Sequence, residues 1–278
     1  MKKRFLEVCE DTRMNKCGNK ERAFIPRFLT STSLPHSDPK STTFEKTISF
    51  GQDKIRVHIS SPHGVPYGVV PRRLMAWIGK QAVQSQSPII DLGRSQSSFL
   101  CKLEMLNSGG KTGVIKRFQE QAEKLFSSAI YIECQTQSKW GFEHSTFAKS
   151  GSVLWDSNNH KRVWSGELVL SDDFYKELIK SPVPVDMRKI NAISSSLALD
   201  IYYWLNYKSH HLKAPVNISW EQLFVQFGGG YKQTTSGKRN WKQEFLKSLR
   251  VILSLYQQDL IIGLCKENIF IQKRLLVV

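Results

Sequence analysis

Arg239, Gln243, Lys247 and Arg250 follow one another at intervals of three or four residues within SGKRNWKQEFLKSLRVIL, a spacing that sets them along one side of a helix. Trp241, Phe245, Leu249 and Ile252 fall on the opposite side. A helix of this kind has a packing face and a reading face. Arg can fork onto the major-groove edge of guanine, a carboxamide matches adenine, and Lys or Arg meets phosphate, so the four polar positions suit a DNA major groove. A solvated amphipathic helix would show the same pattern. The charge distribution favours the groove: residues 187–278 hold 13 Lys plus Arg against five Asp plus Glu, a net of +8, half of the +16 carried by the whole chain.

A second basic helix is predicted from KTGVIKRFQEQAEKLF, with Ile115, Phe118, Ala122, Leu125 and Phe126 as its apolar stripe. Lys116, Arg117 and Lys124 are its candidate DNA contacts. Glu120 and Glu123 intrude among them, and a carboxylate facing phosphate is repelled, so backbone contact rather than base reading is expected there. Only the helix carrying Arg239 to Arg250 is expected to show a face free of acids.

Other chemistries lack their residues. SGGKTG would need Gly at Met105 to be a phosphate-binding loop, and GGGYKQTTSGKRN puts Arg239 where a magnesium-binding Ser or Thr is required. A nicking enzyme needs a His-hydrophobe-His metal pair and a nucleophilic Tyr, whereas His210 and His211 are adjacent and Tyr202 and Tyr203 read as core aromatics. Cys9, Cys17, Cys101, Cys134 and Cys265 form no CxxC pair and match no zinc spacing with His. Cys101 and Cys134 lie in apolar stretches and read as small buried hydrophobes. No catalysis, metal or cofactor is predicted.

The elements that must hold the two basic helices come in the same order twice. VPRRLMAWIGKQAV, IIDLG, SQSSFLCKLEML, a Gly-Gly break, KTGVIKRFQEQAEKLF and AIYIEC form the first copy. DMRKINAISSSLALDIYYWL, VNISW, EQLFVQFG, another Gly-Gly break, SGKRNWKQEFLKSLRVIL and DLIIGL form the second. Helix, strand, helix, basic helix and β-hairpin is the order of a winged helix, whose third helix enters a DNA groove. The fold expected is therefore α+β, with two tandem winged-helix domains over residues 44–181 and 182–278. Residues 1–43, short of apolar residues and rich in Ser, Thr, Lys, Pro and Arg, are expected to form a mostly disordered basic arm.

Local signals add detail. KTISF and KIRVHIS flank GQD as a hairpin, Ser95 and Ser219 are placed to cap helices, and KEN turns the final hairpin LIIGLCKENIFIQKR. AIYIECQTQ is expected to pair with KRVWSGELVLS across an insert that holds a strand of its own near Val153 and Leu154. Pro182 and Pro184 mark a connector between the domains. A chain of 278 residues with 40 Lys plus Arg against 24 Asp plus Glu, and no apolar run of spanning length, is read as a soluble cytoplasmic protein with a polyanionic partner.

The stretches VPYGVVPRRLMAWIGKQAV, IIDLGRSQSSFLCKLEML, GGKTGVIKRFQEQAEKLFSSAI, PVPVDMRKINAISSSLALDIYYWL, ISWEQLFVQFGGGY and FLKSLRVILSLY also resemble, in order and spacing, the plasmid-encoded RepA replication initiators of bacteria. The resemblance covers roughly residues 62–258. It implies tandem winged helices that bind double-stranded DNA at directly repeated origin sequences (iterons), open the adjacent duplex, and recruit the host initiator and replicative helicase. It further implies autorepression of the gene and a monomer-dimer equilibrium. It assigns base contacts to Arg239, Gln243, Lys247 and Arg250, and backbone contact with dimerisation to Lys116, Arg117 and Lys124. GGGYKQTTSGKRNW departs from the family pattern in a longer turn, which leaves the start of the second basic helix open. A dedicated repressor and a nicking enzyme are the other readings.

Overall fold

This computed structural model describes residues 2–50, 53–93, 96–105, 111–153, 166–255 and 260–273. Its first correction to the sequence reading concerns the arm. Residues 2–43 are folded, as α1 (Lys2–Met14), β1 (Arg22–Ile25) and α2 (Phe28–Ser31) with an ordered run beyond them. Cys9, Ala23, Ile25, Leu29 and Leu34 are buried in the common core, and Phe5, Val8, Phe24 and Phe28 pack against it. Each finds an apolar surface supplied by distant sequence, and that surface offsets the ordering entropy the segment alone could not.

Hairpin strands β2 (Thr43–Phe50) and β3 (Asp53–Ser60) form as predicted, and lead into α3 (Val69–Ser85). β1 crosses α3 so closely that a Cβ on Gly79 would stand 2.0 Å from the carbonyl oxygen of Phe24. Only glycine allows that crossing. β4 (Ile89–Asp91), α4 (Gln96–Lys102) and α5 (Lys111–Phe126) follow. The expected cap Ser95 and the first Gly-Gly break lie outside the described residues.

Strand pairing after α5 differs from expectation. β5 (Ala129–Gln135) pairs with β3 and with β6 (Trp140–Thr146), giving a four-stranded antiparallel sheet in the order β2-β3-β5-β6. It does not pair with β8 (Gly166–Leu170), which lies between β4 and β7 (Ala148–Val153) in a separate sheet. Among the described residues the insert thus supplies two strands, not one. Phe147 makes the switch between sheets: it is fully buried, its N–H donates to the Ser128 carbonyl, and its ring packs 6.1 Å from that of Phe126 and 4.6 Å from that of Phe174. Val153 ends β7, and Leu154 lies outside the described residues.

Register sorts the four-stranded sheet into two faces, since directly paired residues share a face. Val57, Ile59 and Ile130 are buried on the inner one. The outer one carries three cross-strand rows: His58, Tyr131 and His144; Arg56, Glu133 and Phe142; Lys54, Gln135 and Trp140. Cys134, although on the inner parity, sits at the protruding end of the sheet and is exposed, as is Cys101 on α4. Both were expected to be buried, and among the five cysteines Cys9 is the buried one.

α6 (Asp172–Lys180) opens with Ser171 accepting from the Phe174 N–H. The Pro-punctuated connector is a strand, β9 (Val183–Asp186), paired antiparallel with β1. It runs into α7 (Met187–Ala192) and α8 (Ser196–His211). β10 (Val216–Ser219), α9 (Trp220–Phe227), α10 (Thr235–Leu255), β11 (Leu260–Leu264) and β12 (Asn268–Lys273) complete the chain. Ser219 and Gln222 form the predicted capping box. The second small sheet has the order β10-β12-β11, and the first has β4-β8-β7. In both, the strand after the long helix pairs with the last strand of the hairpin.

One core runs through both copies. At its centre Arg72 on α3 forms a bidentate pair with Asp200 on α8, at 2.6 Å and 2.8 Å, and both side chains are fully buried. Burying two charges is costly unless every donor is met. Here the remaining guanidinium N–H groups reach the carbonyls of Leu34, Pro35 and Gly68. Arg73 donates to the carbonyls of Leu103, Asn191 and Ile193, and Tyr203 donates to that of Arg72. Tyr202 and Tyr203 are core residues, as predicted.

Candidate nucleic-acid interface

α10 separates its two faces as the wheel requires. Trp241, Phe245, Leu249 and Ile252 are buried, with Trp241 edge-on to Phe224 at 5.2 Å and Phe245 5.7 Å from Phe227. Each such side chain contributes about 1.5–3 kcal/mol by leaving water. The helix is thereby locked with its other side outward. Arg239, Gln243, Lys247 and Arg250 are all exposed on that side.

The start of α10, open from sequence, is Thr235. Thr234 accepts from the Gly237 N–H at 3.2 Å, and the preceding turn folds back until the Lys232 carbonyl oxygen stands 2.1 Å from where a Gly237 Cβ would be. The long Gly/Thr/Ser turn is therefore packed onto the helix it precedes. An open recess of about 530 Å³ lies over the first turns, lined by Thr235, Ser236, Arg239, Asn240 and Gln243. Ser236 and Asn240 extend the polar stripe that sequence reading began at Arg239. Asn240 was missed because it adjoins Trp241; the 3.6-residue period places it one step from Gln243 on the same side.

The expected freedom from acids does not hold. Glu244 is exposed beside the stripe, with a carboxylate oxygen 3.7 Å from Lys247 Nζ. An exposed pair at that distance is weak and can be exchanged for a phosphate contact.

Two lysines on α10 serve the scaffold instead. Lys238 forms an ion pair with Glu221 at 2.8 Å. Lys242 lies 4.0 Å above the Trp220 ring and donates to the Lys266 carbonyl at the hairpin tip. Trp220 donates its indole N–H to the Cys265 carbonyl, 3.1 Å away. The β11–β12 hairpin, found where it was predicted, is tied at its tip to α10 by Lys242 and to α9 by Trp220. Ile269 and Ile271 anchor it from below.

On α5 the three candidates divide. Lys116 and Arg117 are exposed. Lys124 is only 8 % exposed, forms an ion pair with Glu120 at 2.8 Å and lies 4.9 Å above the Tyr67 ring. It is therefore not on an outward basic face. The loop carrying Gly64 and Tyr67 covers that turn of the helix, and a helical wheel cannot register a cover supplied by another segment.

A cluster of ionisable groups surrounds the Arg72–Asp200 pair. His36 Nδ1 is 3.2 Å from Ser196 Oγ and 3.7 Å from Asp200. Burial pushes its imidazole down to about 4, against the pull of Asp200. Lys46 donates to Ser33 Oγ at 3.0 Å and to the Gln226 carbonyl, and burial lowers its ammonium to about 8. These groups join β2, the segment after α2, and α9. They support the interface from behind.

Among the described residues no group of three or more His, Cys, Asp or Glu side chains is placed to hold a metal, and no helix is long and apolar enough to cross a membrane.

The family model for plasmid-encoded RepA proteins matches residues 65–222, more than half of the chain. Two crystal structures of domains 2 and 3 of RctB share the fold at 10 % sequence identity, with TM-scores of 0.54 and 0.53. They cover 89 % and 88 % of this chain and 96 % and 94 % of their own. No curated protein sequence matches the chain.

Proposed function

The chain belongs to the plasmid-encoded RepA family, and we propose that it initiates plasmid replication by gripping directly repeated origin DNA with two winged helices. The observation that carries this reading is α10, whose apolar side is locked in the core while Arg239, Asn240, Gln243, Lys247 and Arg250 face outward beside a tethered hairpin. A helix so held presents a major groove with bidentate donors for guanine and carboxamides for adenine. The matching strand order of the two small sheets supports reading both copies as winged helices.

In this reading α10 chooses the sequence. α5 contributes Lys116 and Arg117 to phosphate contact, and the first copy carries the dimer contact of a monomer-dimer equilibrium. Lys124 drops out of the DNA-binding set. The protein binds duplex DNA without catalysing chemistry on it, and opens the origin for the host initiator and replicative helicase. Binding at its own promoter would repress the gene.

The test is a minimal origin plasmid with the protein supplied in trans. Replication should require the protein and fail with Arg239→Ala plus Arg250→Ala, each of which should weaken binding to the cognate repeat by about 1–3 kcal/mol. Replication without the protein would overturn initiation in favour of repression. Unchanged affinity in both variants would overturn the assignment of α10.

A further inference from the structure

The outer face of the four-stranded sheet holds none of the residues assigned above to duplex contact, and it carries three aromatic side chains. Its exposed aromatics are Trp140 and Phe142, 57 % and 56 % exposed, with ring centroids 5.0 Å apart. Tyr131 continues the row, stacked 5.9 Å from Phe142. None of the nine side chains in the three cross-strand rows is aliphatic.

The charges on this face are unevenly engaged. Glu133 accepts from the Trp140 indole N–H at 2.9 Å and pairs with Arg56 at 3.2 Å, and Arg56 also reaches Glu45 at 3.4 Å. The two carboxylates thus share one guanidinium, and the Trp140 ring is held by its N–H. Lys54, in the same row as Trp140, and Lys139, next to it in the chain, are exposed and form no ion pair among the described residues. The uncommitted charge on the face is cationic, and it lies at the Trp140 end of the aromatic row.

We infer that this face binds single-stranded DNA, with unpaired bases stacking on Trp140, Phe142 and Tyr131 and the backbone passing Lys54 and Lys139. Bases within a duplex hide their faces in the stack, so only a separated strand can use such a platform. A second copy of this chain fits less well, because a partner carrying a net charge of +16 would bring like charge to Lys54 and Lys139. The fixed Trp140 ring loses little freedom on binding, which favours the contact. The inference goes beyond duplex binding by α10 and uses none of its residues.

The experiment is an anisotropy titration of the full chain with a labelled oligothymidylate of about 20 nucleotides, long enough for several stacked bases. Trp140→Ala and Phe142→Ala should each weaken binding about tenfold or more, in line with the stacking contribution of one base. Phe142→Leu, which keeps apolar bulk without the ring, should lose most of the same affinity. All three should bind cognate duplex as the parent does, and Arg239→Ala should bind the oligonucleotide as the parent does. Failure of the parent chain to bind the oligonucleotide, or parent-like binding by Trp140→Ala and Phe142→Ala, would overturn the inference while leaving the reading of α10 intact. Parent-like binding by Phe142→Leu would overturn stacking as its basis. A shift in sedimentation caused by Trp140→Ala, without change in oligonucleotide affinity, would reassign the face to self-association.

Discussion

Arg72 Nε and Nη2 stand 2.6 Å and 2.8 Å from the two carboxylate oxygens of Asp200, with neither side chain in contact with water. The pair spans α3 and α8, the long helices of the two copies, so its energetics bear on how those copies are joined. Arg72→Leu leaves a buried carboxylate unpaired and should cost about 3–5 kcal/mol in a urea melt. Arg72→Met combined with Asp200→Leu should recover part of that loss, because the buried carboxylate is gone while the carbonyls of Leu34, Pro35 and Gly68 lose this donor. A double variant whose loss equals the sum of the Arg72→Met and Asp200→Leu losses measured singly would show that the two groups act independently.

Lys116 and Lys124 sit on one helix and should behave differently. Lys116→Ala should weaken binding to every DNA sequence alike and reduce the slope of log affinity against log salt by about one. Lys124→Ala should leave that slope unchanged and lower stability by about 1 kcal/mol, through loss of its Glu120 pair and its contact with Tyr67. Equal salt slopes for the two variants would contradict the burial of Lys124.

Gly79→Ala places a methyl carbon against the Phe24 carbonyl, so β1 must move away from α3. The expected loss is about 1–3 kcal/mol, the range for overpacking a core. Because β1 carries the N-terminal residues into the core, trypsin should cut faster at Arg13, Lys16 and Lys20 in the variant. Parent-like digestion would show that the crossing is looser than the structure places it.

The acid side of the stability curve should reflect His36. Its folded value is held at about 4 against 6.5 for the free side chain, so between those values the unfolded chain binds a proton that the folded chain refuses. The contribution of neutral His36 is therefore complete above pH 6.5 and is lost as pH falls towards 4. His36→Asn, which retains a group for Ser196 but does not titrate, should remove up to about 3 kcal/mol of that loss. Asp200, Arg72 and Lys46 face the same cluster and are unchanged in the comparison. Identical pH profiles for the two proteins would rule His36 out as the source.

What sequence could show here is what repeats locally. The two faces of α10, the Ser219 capping box, the β2–β3 hairpin and the last hairpin are each set by residues within a few positions of one another, and each was found in place. What failed depends on partners far along the chain. β5 and β8 alternate equally well as mates for one another, and only Phe147, buried between two sheets, shows that the chain changes sheet there. The four residues of β1 have no period long enough to register, and their partner is β9. Lys124 looked like part of a basic face because the loop over it belongs to another part of the sequence.

The pairing of β1 with β9 also orders events during synthesis. Chains emerge from the ribosome N-terminus first and fold as their segments become available. β1 leaves early, but its hydrogen-bonding partner does not exist until every strand and helix through α6 has been translated. Until then Phe24 and Ile25 have no strand to pair with, and a nascent first copy presents an unfilled edge where that strand will lie. The strand that closes this edge belongs to the segment leading into the second copy, so completion of the earlier half waits on arrival of the later one.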